Sequence, residues 1–118
     1  MPEALPPDVA GVLELLLADG DPALRAQVPH LRLNGRCACG CGTAYFDLDT
    51  AGLRPAPCGP GRAVAAEAPI HTEDGDCAGE VLVFTEDGYL SWLEVCSWSD
   101  GTQLTLATAH ESLRRGRP

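Results

Sequence analysis

Apolar residues recur at Val9, Val12, Leu13, Leu16 and Leu17, a spacing that gathers them on one side of an α-helix. Pro6, Pro7 and Asp8 stand at its start, where Asp8 either caps it or lies in the first turn, and Gly20 closes the stripe. Asp21-Pro22 repeats the start signal, a capping carboxylate followed by proline at the first helical position. It predicts a short second helix over Pro22 to Val28, stopped by Pro29. From His30 the period falls to two. Leu31 and Leu33 alternate with Arg32 and Asn34, and Ala44, Phe46 and Leu48 alternate with Tyr45, Asp47 and Asp49, so each run predicts a strand with one covered face. Between them lies Cys37-Ala38-Cys39-Gly40-Cys41-Gly42, expected at the turn or bulge of a hairpin.

The strongest local signal lies between Gly79 and Trp98, where two strand-like runs meet at Asp87-Gly88, a favoured pair for a two-residue turn. Such a turn pairs Phe84 with Ser91, Val83 with Trp92, Leu82 with Leu93 and Val81 with Glu94. One face then carries Leu82, Phe84, Leu93 and Val95, the other Val81, Val83, Leu90, Trp92, Glu94 and Cys96. Both are apolar, which predicts a central hairpin covered by helix on one side and by a loop or a partner on the other. Residues 50–69 hold Pro55, Pro57, Gly59, Pro60 and Gly61 and are expected to form one long loop. Leu104 and Leu106 continue the alternation as a further strand, and the Arg-rich residues 112–118 are expected to fray. These elements predict an α+β fold in one domain over 1–118, with an N-terminal helix and a short second helix on a small, mainly antiparallel sheet.

The chain has 118 residues, enough for one domain, and just over a fifth of it is Leu, Ile, Val or Phe, enough for a modest core. Its net charge of -9 removes nucleic acid and membrane surface as leading partners and suits a basic protein instead. The opening residues place Glu3, Asp8 and Glu14 where an export signal needs positive charge, and Glu14 and Asp19 interrupt the only apolar run, so a cytoplasmic protein is expected. All the basic residues are Arg, and with plentiful Ala, Gly and Pro this points to a GC-rich bacterial genome.

In a reducing compartment, six Cys in a short chain point to metal or free thiols before a disulfide framework. Structural zinc is usually offered two Cys-x-x-Cys turns, and this chain has none. On an extended strand, Cys37, Cys39 and Cys41 would project at roughly 6.6 Å intervals, too far apart to share an ion, so a fold at Gly40 and Gly42 is required. With that fold, Cys37, Cys39 and Cys41 are candidate zinc ligands, with Cys58, His71 or Cys77 as the fourth. Cys77 and Cys96 can form a separate pair or join the cluster. Against this stands the plain reading of buried, unligated thiols, particularly for Cys96 beside Trp92 and Trp98, and a third reading is disulfide or redox chemistry. Each His is expected at the surface or at a cap.

Asp47 with Asp49, and Glu73 with Asp74 and Asp76, read as solvated faces in so acidic a chain. Glu94 among apolar neighbours calls for a partner, for which Arg32 or Arg36 is available. Gly59 to Gly61 is too short for a phosphate loop.

Arg36-Cys37-Ala38-Cys39-Gly40-Cys41-Gly42-Thr43, with Gly79 to Phe84 leading into Asp87-Gly88-Tyr89-Leu90-Ser91-Trp92-Leu93-Glu94-Val95, resembles short bacterial proteins of uncharacterised function. In these a Cys-x-Cys-Gly-Cys segment precedes an Asp-Gly hairpin ending Leu-Glu-Val. The resemblance spans about a third of the chain. It implies a cytosolic α+β domain and carries no activity with it. The expected function is a non-enzymatic binding module, stabilised by a Cys-ligated metal and acting on a basic partner as an immunity protein or antitoxin does. The alternative is a thiol-based redox or metal-handling protein built on Cys37, Cys39 and Cys41. A small hydrolase has the least support.

Overall fold

The computed structural model describes residues 3–37, 43–98 and 104–115. After a two-residue strand β1 (Glu3–Ala4), helix α1 (Pro7–Leu16) opens with Pro7 at its first position and Asp8 in its first turn. Helix α2 (Pro22–Gln27) is capped as its sequence predicts, the Asp21 carboxylate accepting from the Ala23 N–H at 2.8 Å. A short 3-10 turn, Val28–His30, leads into β2 (Leu31–Arg36). Then follow β3 (Ala44–Leu48), β4 (Arg62–His71), β5 (Cys77–Glu86), β6 (Tyr89–Ser97) and α3 (Leu106–Arg115). The strands form one sheet in the order β1-β2-β3-β6-β5-β4, antiparallel at every pairing. Among the described residues no helix is long and apolar enough to cross a membrane.

One face of the sheet holds the core. Val81, Val83, Leu90, Leu93 and Val95 join Ala44 and Phe46 in a single buried cluster with Val9, Val12, Leu13 and Leu17 at α1, Leu24 of α2, and Leu106 and Ala109 of α3. Burial of such apolar area is the main stabilising term in a small domain. The turn between β5 and β6 is locked from below by Gln27, a fully buried glutamine on α2. Its Nε2 donates to the carbonyls of Gly88 and Arg54 at 3.1 Å each, and its Oε1 accepts from the Leu90 N–H at 2.8 Å. Asp87 and Gly88 have the positive φ values, 54° and 86°, that a tight hairpin turn of this kind requires.

Four expectations are corrected. The Asp87-Gly88 register holds only at the turn, where Glu86 faces Tyr89 and Thr85 faces Leu90; Ser91 is then an extra residue, and beyond it Phe84 faces Trp92, Val83 faces Leu93, Leu82 faces Glu94 and Val81 faces Val95. This bulge carries Leu93 and Val95 to the core side with Val81 and Val83, and turns Trp92, Glu94 and Cys96 to the opposite side. The loop expected over 50–69 ends at Gly61, because Ala66, Ala68 and Ile70 point to the core from β4; their small side chains conceal the alternation, and Pro69 is tolerated on an edge strand. Leu104 and Leu106 form no strand, since Leu106 begins α3 and shares a helical stripe with Ala109 and Leu113. Residues 112–115 are helical rather than frayed, with Ser112 buried and bonded to β4; residues 116–118 lie outside the described residues.

Candidate functional site

On the sheet face away from the helices, the register aligns four side chains from four strands. Val64 of β4 faces Phe84 of β5, Phe84 faces Trp92 of β6, and Trp92 faces Tyr45 of β3. None of the four belongs to the buried core cluster. Phe84 and Trp92 stack with ring centroids 4.2 Å apart and planes 12° from parallel, and the Arg62 guanidinium lies 5.5 Å from the centre of the Trp92 ring. These contacts fix the middle of the row by ring stacking and a cation–π interaction. Its two ends stay open: Tyr45 is 46% exposed and Val64 47%. With strands about 4.8 Å apart, the row is roughly 14 Å long.

The flanks of the row differ. On one side, Glu67 and Glu94 face Leu82 from its two neighbouring strands, and Glu80 follows, opposite Pro69 and Cys96. Three carboxylates therefore border the row there. On the other side Arg62 faces Glu86, so the two charges offset each other. The expected pairing of Glu94 with Arg32 or Arg36 is not what the structure holds. Glu94 accepts a hydrogen bond from the Cys96 thiol at 3.1 Å, while Arg36 forms an exposed ion pair with Asp8 at 3.1 Å.

The cysteines are spread along the sheet. Cys37 directly follows β2, and its N–H bonds the Thr43 carbonyl at 2.9 Å; Thr43 Oγ1 in turn accepts from the Val95 N–H at 3.2 Å, one residue before Cys96. Cys39 and Cys41 lie outside the described residues. Cys58 belongs to the other end of the molecule: its N–H bonds Ala56, and Ala56 bonds Gly88 in the β5–β6 turn. From that turn to Val95 the strand rises roughly 20 Å, against the roughly 4 Å between sulfurs that share a zinc ion at 2.3 Å bond lengths. Cys58 is thus held near the β5–β6 turn and Cys37 near Val95. Cys77 is exposed on β5, with His71 facing it from edge strand β4, whereas Cys96 faces Glu80, three residues further along β5. Among the described residues no group of three or more His, Cys, Asp or Glu side chains is placed to hold a metal ion.

The exposed aromatic row escaped the sequence because Ser91 reverses the sides of Trp92 and its successors, and no residue type announces a bulge. Tyr45 was the legible part, an aromatic among the solvent-side positions of its strand. Compared with protein family models, with curated proteins and with solved structures, the chain matches none.

Proposed function

We propose that this protein is a non-enzymatic interaction module of the bacterial cytoplasm that docks a protein partner on the helix-free face of its sheet, in the manner of an immunity protein or antitoxin. The observation that carries the reading is the row Val64–Phe84–Trp92–Tyr45, apolar across four strands and open at both ends. Aromatic side chains held rigid on a scaffold are the usual anchors of a protein interface, because little rotamer freedom remains to be lost on binding. The net charge of -9 favours a basic partner. The test places a photo-crosslinking amino acid at position 45, on this face, or at position 14, exposed on α1, in cells; the partner from position 45 is then purified and its affinity measured. Tyr45→Lys is expected to weaken it about tenfold or more, with Glu14→Gln, an equal change of charge away from this face, having little effect. Equal capture from both positions, or equal affinity of both variants, rejects the reading.

A second reading is supported by the Cys37–Thr43–Val95 hydrogen-bond chain, which ties both ends of the Cys39- and Cys41-bearing segment next to Cys96. In this reading Cys37, Cys39, Cys41 and Cys96 bind zinc, or serve thiol chemistry if no metal is held. Protein purified under reducing conditions is expected to contain roughly one zinc per chain, and chelation is expected to unfold it. Absence of metal together with six titratable thiols rejects the zinc site.

A further inference from the structure

We infer that the occupant of the helix-free face is a cationic amphipathic segment of another protein, with its apolar side on the aromatic row and its Lys or Arg residues along one flank only, rather than a second copy of this chain. The inference rests on the proposed docking role of this face and adds the chemistry of what docks there.

Charge is distributed unevenly about the row. Glu67, Glu94 and Glu80 border it on the Leu82 side, whereas on the opposite side Arg62 faces Glu86 and leans over Trp92. A ligand lying along the row therefore meets three carboxylates on one flank and charges of both signs on the other, where Arg62 faces Glu86 and Arg32 faces Asp47 beyond Tyr45. Cations spread evenly round a segment would leave half of them against Arg62. Cations gathered on one side, with an apolar stripe beside them, match both the row and its border. The roughly 14 Å from β4 to β3 accepts about nine residues of helix or four of extended chain, a length within reach of a single secondary-structure element.

A second copy fits poorly. Two copies meeting face to face would bring Glu67, Glu80 and Glu94 of each against a chain of the same sign, and each chain carries a net charge of -9. Like charges brought together at an interface oppose association. The apolar stripes of α1 and α3 are also already spent in the core, so among the described residues a copy has no spare cationic helix to offer.

The test uses the full chain carrying Trp98→Phe, which leaves Trp92 as the sole indole, and two Leu/Lys peptides of identical composition that span the row. One segregates Leu and Lys on opposite sides; the other scrambles them. Trp92 emission reports binding, and sedimentation reports self-association. The segregated peptide is expected to bind about tenfold more tightly than the scrambled one, and Glu67→Lys with Glu94→Lys is expected to remove that preference. Glu67 is exposed and Glu94 half-buried on the outer face of the sheet, neither belongs to the core cluster, and unchanged melting verifies the fold. Equal binding of both peptides overturns the inference, since simple charge attraction then suffices. A dimer that Tyr45→Lys dissociates, with neither peptide bound, also overturns it, while leaving the face as a docking surface. If neither peptide binds and the chain stays monomeric whatever stands at position 45, the docking role itself fails along with the inference.

Discussion

Gln27 shows how one residue can hold distant parts of this chain together. Buried on α2, it satisfies the Leu90 N–H and the carbonyls of Gly88 and Arg54, three backbone groups from two other segments. Leaving a buried polar group unpaired costs about 1–3 kcal/mol. Gln27→Leu, similar in volume and unable to hydrogen-bond, is therefore expected to lower unfolding stability by about 3 kcal/mol in denaturant titration. A loss below about 0.5 kcal/mol would show that water replaces the amide. Gly88 is equally constrained. Its φ is 86°, and a Cβ there would lie 2.5 Å from the Ala56 carbonyl oxygen, so Gly88→Ala is expected to destabilise the turn clearly and to be detected as a lowered melting temperature. The glycine and Asp21 were legible from the chain alone, since turn and cap chemistry is local. Gln27 was not, because a lone glutamine on a short helix reads as a solvent-facing residue until the segments it bonds are brought to it.

At the scale of elements, local periodicity was readable wherever side chains were large. The stripe of α1, the alternation of β2 and β3 and the Asp87-Gly88 turn all follow from it. It failed where residues were small or where one extra residue broke the count. The alanines of β4 gave no contrast between core side and outer side, and Leu104 and Leu106, two apart, imitated a strand at the entrance to α3. The junction of α3 with β4 is polar: Ser112 Oγ accepts from the His71 N–H at 2.8 Å and donates to the Pro69 carbonyl at 3.4 Å, and Arg115 donates to the His71 carbonyl at 2.6 Å. These bonds hold the last turn of the helix against one end of an edge strand. Ser112→Ala is expected to cost about 1 kcal/mol and to speed amide exchange in α3 more than in β5 or β6. Uniform acceleration across the protein would mean that α3 opens only with the whole fold.

For the whole molecule, the α+β class and the antiparallel sheet follow from the order of the elements, while the candidate site does not. Its position depends on which residues meet across strands, and the bulge at Ser91 decides that for Trp92, Glu94 and Cys96. The metal expectation meets the same limit, because the sequence offers six cysteines and only tertiary placement decides which of them meet. The excess of negative charge operates over longer distances than any of these contacts. Association with a basic partner is expected to slow steeply as ionic strength rises past a Debye length of about 8–10 Å, with a smaller change in the dissociation rate. A dissociation rate carrying most of the salt dependence would assign the charges to the bound complex rather than to steering.

A map of amide and aromatic resonances during titration with the segregated Leu/Lys peptide locates the surface that binds it. Docking on the helix-free face predicts saturable shifts centred on Tyr45, Val64, Phe84 and Trp92, with the buried Val12, Leu13 and Ala109 of the helical layer unmoved. Shifts centred on α1 and α3, or a diffuse response over the whole acidic surface, would contradict it.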